Sequence, residues 1–158
     1  TDIDHFKRVN DRYGHVEGDK VLQAFGHQLH GLDGLDVVVA RYGGEEFALA
    51  LRGRPLAEML AIVETLRSNV EAMVTRSGAG REIRVTASFG LIHAQGPIDD
   101  WEALFRQADA ALYEAKASGR NRIRATNEVL TQFGKADRET QSLSRRGRMF
   151  RTRPTETR

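Results

Sequence analysis

The sequence predicts an α+β fold, with a mainly antiparallel central sheet flanked by helices. Three observations lead there. Strand-like and helix-like stretches follow the order β, α, α, β-hairpin, α, β, α, β; two of the β runs are joined through a glycine pair; and each long helical stretch carries one apolar stripe that a sheet has to cover. With 158 residues and 40% hydrophobic content, the chain can bury one real core and is too short for two.

Residues 1–4 read as the end of a strand. A polar, helix-capable stretch runs from Phe6 to Tyr13 until Gly14 interrupts it. A second helix is expected from Asp19 to about Leu32, with Val21, Leu22, Phe25 and Leu29 on one stripe. "VVVARY" (37–42) and "EFALAL" (46–51) form a hairpin through Gly43 and Gly44. Pro55 suits the first turn of a long helix whose Leu56, Leu60, Val63, Leu66, Val70 and Met73 recur every three or four residues, and Gly78 and Gly80 end it. "IRVTASFGLIHA" (83–94) is a third β segment. Asp99 with Glu102 forms a capping pattern for a helix that places Trp101, Leu104, Phe105, Ala108, Leu112 and Ala115 on one face and stops at Gly119. "NRIRA" is the final strand. From Thr126 the composition reads as a mobile tail with a short helix over 129–133, so the expected division is a domain at 1–125 and a tail at 126–158.

The formal charge is +2, but residues 126–158 hold eight Arg/Lys against four Asp/Glu, so the body is about neutral and the tail carries the excess. The absence of cysteine rules out a disulfide framework and a thiolate zinc site. No window reaches the roughly 18 apolar residues that span a bilayer, and the start lacks a signal-peptide pattern. Because "TDIDHF" opens on a strand end, further sequence upstream is expected, where a membrane anchor or sensory domain could sit.

Two adjacent acids after two glycines pose the chemical question. A Gly-Gly hairpin lets the backbone come close to a ligand, and the following carboxylate sits at the rim of the sheet. Glu45 and Glu46 should point to opposite faces and so do different jobs. A solvated turn in which glycine supplies positive φ is the plainer alternative. The first strand shifts the balance: Asp2 and Asp4 share a face, with Lys7 and Asn10 just beyond, and carboxylates from two strands suit a hard cation such as Mg2+.

The pattern D-I-D-H-F-K-x-x-N-D-x-x-G-H-x-x-G-D, then R-Y-G-G-E-E-F, then A-D-x-A-L-Y-x-A-K-x-S-G-R-N resembles the GGDEF family of diguanylate cyclases over residues 1 to about 125. The resemblance implies a fold like the palm of polymerases and of class III nucleotidyl cyclases. It also implies condensation of two GTP into cyclic di-GMP with release of two pyrophosphates. Asp2, Glu45 and the Ile3 carbonyl would hold Mg2+ or Mn2+, two ions per GTP, and Glu45 and, less firmly, Glu46 would be the catalytic acids. The backbone of His5, Phe6 and Lys7, the hairpin glycines Gly43 and Gly44, and the cations Lys7, Lys116 and Arg120 would meet the phosphates. Asn10 and Asp19 would select guanine, with His15 a minor contact. Plainer readings stand beside these: Lys116 and Arg120 as cations at a helix C-terminus, Asp19 as an N-cap, and Asn10 as a solvated helix residue. Phe47, Phe89 and Trp101 read as core or hairpin support.

The Arg-x-x-Asp product site of many family members is missing, since Gly34 and Val37 stand at its two positions. Product is then expected to bind, if at all, in the active half-site. The resemblance further implies a cytoplasmic domain, a catalytic homodimer and an upstream sensory or dimerisation domain. A non-catalytic sensor of GTP or cyclic di-GMP is the alternative. The run "SRRGRMFRTR" could attract nucleic acid, but no base-reading element accompanies it, so no nucleic-acid partner is expected.

Overall fold

A computed structural model of the chain describes residues 1–32, 36–96, 98 and 100–129. Its central layer is organised around a strand of two residues. β1 (Asp2–Ile3) pairs antiparallel with β6 (Ala87–Gln95), matching Asp2 to Ser88 and Ile3 to Ala87. On its other side β1 meets the hairpin of β2 (Val37–Arg41) and β3 (Phe47–Leu51) through a bridge from Asp2 to Glu46. Two backbone bonds secure that junction, Ile3 N–H to the Glu45 carbonyl at 3.3 Å and Phe47 N–H to the Thr1 carbonyl at 2.9 Å. β7 (Ile123–Val129) adds on the far edge, parallel to β6 from Phe89–Ile123 to Gln95–Val129. The layer is therefore antiparallel-rich, as expected.

Helices cover both faces. β6 alternates between them: Ala87, Phe89 and Leu91 join the main core with Val21, Phe25 and Leu29 of α2 (His15–His30) and Met59, Val63, Leu66 and Val70 of α3 (Leu56–Ala72). On the opposite face Gly90 meets α4 (Trp101–Ala117), where an added Cβ would lie 2.1 Å from the Ala108 carbonyl and 2.5 Å from the Leu112 nitrogen. α4 thus sits directly on the strand, with small Ala111 and Ala115 buried beneath it. Among the described residues, no helix is long and apolar enough to cross a membrane.

Several boundaries differ from the sequence expectation. α1 (Phe6–Tyr13) matches, but α2 starts at His15 rather than Asp19, because Gly14 (φ 89°) is an elbow that reverses the chain within one residue. Pro55 stands just before α3 instead of inside its first turn. The β segment at 83–94 is split: β5 (Glu82–Ile83) pairs with β4 (Thr75–Arg76) in a small hairpin turning at Gly78–Gly80, and α3 has ended before those glycines. The α4 cap is Asp100, whose carboxylate accepts from Ala103 N–H at 2.8 Å; Asp99 lies outside the described residues.

Trp101 is not core. It is 56% exposed and Phe105 46%, since the first turns of α4 contribute no fully buried residue. Phe105 stacks instead on Tyr42 at the hairpin, with ring centroids 5.7 Å apart. β7 continues to Val129, past the expected NRIRA strand, because its pairing with β6 runs on. The tail from residue 130, the rest of the short helix expected at 129–133, and Gly34 lie outside the described residues.

Candidate functional site

The junction of β1, the hairpin and the last turn of α4 gathers the charged residues. Asp2 is only 6% exposed because it lies between two paired strands. Its carboxylate takes an ion pair from Lys116 Nζ at 2.8 Å. Glu45 occupies the hairpin turn next to Ile3, its carbonyl accepting the Ile3 N–H. Burial pushes the Glu45 carboxyl above the usual range; the negative charge of Asp2 adds to this, and Lys116 opposes it. Asp2, Glu45 and Lys116 therefore share one electrostatic neighbourhood.

Glu46 is placed differently. Its carbonyl closes the turn by accepting from Tyr42 and Gly43 at 2.9 and 3.2 Å, and its carboxylate folds over Gly43, with Oε2 2.6 Å from where a Cβ would stand. Neither Gly43 nor Gly44 has a positive φ, so the turn does not demand glycine for its backbone. A Cβ on Gly44 would meet nothing within 4 Å, leaving that stretch of backbone bare toward solvent. Arg41 secures it by donating to the carbonyls of Gly43 and Gly44 at 3.2 and 2.7 Å.

The remaining expected residues fall into neighbouring groups. His5 (φ 57°) stands in the left-handed region ahead of α1 and makes no side-chain cap, so the first N–H groups of that helix are not closed off by it. Phe6 is buried and can offer only its backbone, while Lys7 is exposed and has no ion pair among the described residues. Asn10 is half-buried against Gly18, and Asp19 is the exposed next residue. His15, also exposed, lies one turn before Asp19 on the same helix. Arg120 (φ 62°) follows Gly119, half-buried, with its N–H bonded to the Ala115 carbonyl at 3.0 Å.

Asp4 does not join Asp2 in facing a cation. It is 4% exposed and accepts from Thr86 Oγ1 and Ser88 Oγ, both at 2.7 Å, and from Asn121 N–H at 3.0 Å. Sequence reasoning missed Asn121. It too has a positive φ (46°), and its amide accepts from Arg67 at 2.7 Å and donates to Glu71 at 2.8 Å, tying the Arg120 turn to α3. Its tolerance of the left-handed region was the available signal. A cavity of about 340 Å³ lies beside α1 between Arg8, Arg12 and Arg84 and touches His5 but none of the other expected site residues, and a second of about 430 Å³, against Arg8, Asp11 and Arg12, touches none of them, so charge rather than concavity marks the Asp2 junction as the candidate site.

The donor set suits a hard divalent ion. Among the described residues no three His, Asp or Glu side chains are grouped to hold a metal unaided. Two carboxylates and a strand carbonyl leave most octahedral positions to ligand oxygens and water. Two crowded carboxylates, one with its charge already disfavoured, are what an added cation would relieve.

Comparison with known proteins identifies the family. A family model described as "Diguanylate cyclase, GGDEF domain" matches residues 1–122. Diguanylate cyclase VdcA of Vibrio cholerae is 41% identical over 125 residues, covering 77% of this chain but 36% of that protein's length. The GGDEF domain of DgcB from Caulobacter crescentus, solved in complex with c-di-GMP, superposes with a TM-score of 0.72 at 33% identity, covering 78% of this chain and 73% of that one. An active GGEEF domain of a Vibrio cholerae diguanylate cyclase gives a TM-score of 0.67 at 27% identity, covering 80% of each chain.

Proposed function

Because this chain belongs to the GGDEF diguanylate cyclase family, we propose that it joins two GTP molecules into cyclic di-GMP and releases two pyrophosphates. The observation that carries this reading is the cluster of Asp2, Glu45 and Lys116 at the junction of β1, hairpin and α4. Asp2, Glu45 and the Ile3 carbonyl would hold Mg2+ or Mn2+, two ions per GTP. When bound, the metal neutralises the triphosphate and favours ionisation of the attacking 3′-hydroxyl.

The chain's own groups do the rest. Lys7 and Arg120 grip phosphate oxygens, and Lys116 turns from Asp2 to join them. The bare backbone at Gly44 and the open N-terminus of α1 offer N–H groups to the same anion. Asn10 and Asp19 accept from and donate to the guanine edge, where adenine presents no matching donor pair. Glu45, with its raised proton affinity, takes the proton of the 3′-hydroxyl, while Glu46 keeps the hairpin in shape. One domain supplies half a site, so two domains face each other around two GTPs and the rate climbs steeply with concentration.

With Gly34 and Val37 where an Arg-x-x-Asp site would be, product binds in the active half-site and competes with GTP. Calorimetric titration with cyclic di-GMP would refute that competition if binding survived replacement of Asn10 and Asp19. The decisive experiment incubates concentrated, artificially dimerised protein with GTP and Mg2+ and follows cyclic di-GMP by chromatography, with Glu45→Ala as the control. GTP binding without product would mark a non-catalytic sensor.

A further inference from the structure

Guanine recognition as proposed above draws on a residue with no side chain. The elbow at Gly14 folds α2 back against α1: Gly14 N–H donates to the Asn10 carbonyl at 2.8 Å and Gly18 N–H to the Gly14 carbonyl at 3.1 Å. Gly18, the buried fourth residue of α2, is thereby pressed against Asn10. A Cβ at position 18 would stand 1.9 Å from Asn10 Oδ1, 3.1 Å from Asn10 Cγ and 3.2 Å from Phe6 Cζ. Phe6 is only 5% exposed and has nowhere to go, whereas the Asn10 amide is the free end of a rotatable side chain. The amide is what would yield. A helix by itself gains from alanine over glycine at such a position, so local propensity does not account for the bare Cα.

We propose that Gly18 is a positioning residue for base recognition: its bare Cα is the floor on which the Asn10 amide lies beside Asp19, and any side chain there turns the amide away from the guanine edge. The inference rests on the assignment of Asn10 and Asp19 to the base and deepens it.

The test compares wild type, Gly18→Ala, Asn10→Ala and the double variant. Each is titrated calorimetrically with 3′-deoxy-GTP, which lacks the attacking hydroxyl, and with the corresponding inosine nucleotide, which lacks the exocyclic amine. Thermal melts monitor the fold. The expected result is a folded Gly18→Ala protein that binds the guanine nucleotide about tenfold more weakly, the loss of roughly one good hydrogen bond. Asn10→Ala should match it, the double variant should be no weaker than either, and the preference for guanine over hypoxanthine should shrink alike in all three. Wild-type affinity in Gly18→Ala, or losses that multiply in the double variant, would overturn the proposal while leaving the base assignment standing. Wild-type affinity in Asn10→Ala would instead sink the assignment and the proposal together. Should Gly18→Ala fail to fold, refolding on adding Asn10→Ala supports the contact, and continued unfolding shows that the glycine serves Phe6 or the backbone instead.

Discussion

Replacing Lys116 by Met removes the ammonium from Asp2 while keeping a good helix former of similar length. The carboxylate left behind is 9% exposed in its side chain and the departing Lys116 30% exposed. Breaking a fully buried pair costs about 3–5 kcal/mol, whereas exposed pairs are worth about 1 or less. This half-screened pair belongs between, at roughly 1–3 kcal/mol, and in a domain of this size each kcal/mol moves Tm by about 4 °C. Without divalent metal or nucleotide, Lys116→Met should therefore melt about 4–12 °C below wild type. Millimolar Mn2+ should then raise the variant's Tm more than that of wild type, because in wild type the ion has to displace the ammonium from Asp2. Differential scanning fluorimetry with and without Mn2+ reads both effects. Equal melting temperatures in chelator, or an Mn2+ shift at least as large in wild type, would show that Asp2 does not depend on Lys116 and that no competition exists.

Other perturbations follow from the same geometry. Asp4→Ala strands two hydroxyls and the Asn121 N–H, and should cost about 3 kcal/mol by urea denaturation. Gly90→Ala sets a methyl against the backbone of α4 and should cost about 3 kcal/mol, while Gly44→Ala, pointing into open space, should change stability by less than about 0.5 kcal/mol yet cut cyclic di-GMP synthesis at least ~10-fold. Glu45→Gln gives a pH signature. Folding raises the Glu45 pKa, so wild-type stability is lost as pH rises above the ordinary carboxylate value near ~4, and a neutral amide escapes that loss. In chelator the variant should melt higher than wild type at neutral pH and together with it in acid; a difference that persists in acid would argue against charge as the cause.

What could be read from the sequence was whatever is contiguous. The acids after the glycine pair, the Asp2 strand end and the Lys-x-x-x-Arg spacing at 116–120 each sit within a few residues of one another, and the hairpin and amphipathic helices follow from local periodicity. What escaped depends on distance along the chain. Asp4 meets Asn121 across 117 residues and Asn121 meets Arg67 across 54, so nothing local told that Asp4 is satisfied internally rather than free for a cation. The β4–β5 hairpin hid because its strands are two residues each, too short for a period. Trp101 was misjudged because a helical stripe shows which side is apolar and not how far along the helix the sheet reaches.

Strand β6 has a consequence for how the end of the sheet that carries Asp2 can move. Asp2 is fixed to it through register with Ser88, and Lys116 through the seating of α4 on Gly90 two residues later. Both ends of the ion pair are thus measured from one ruler and travel together. Glu45 belongs to a separate ribbon fastened to β1 by the short Asp2–Glu46 bridge and the backbone bonds on either side of it. If the hairpin closes on the proposed substrate GTP, the ribbon should swing against a stationary frame, and a disulfide formed between Tyr42→Cys and Phe105→Cys should freeze that swing.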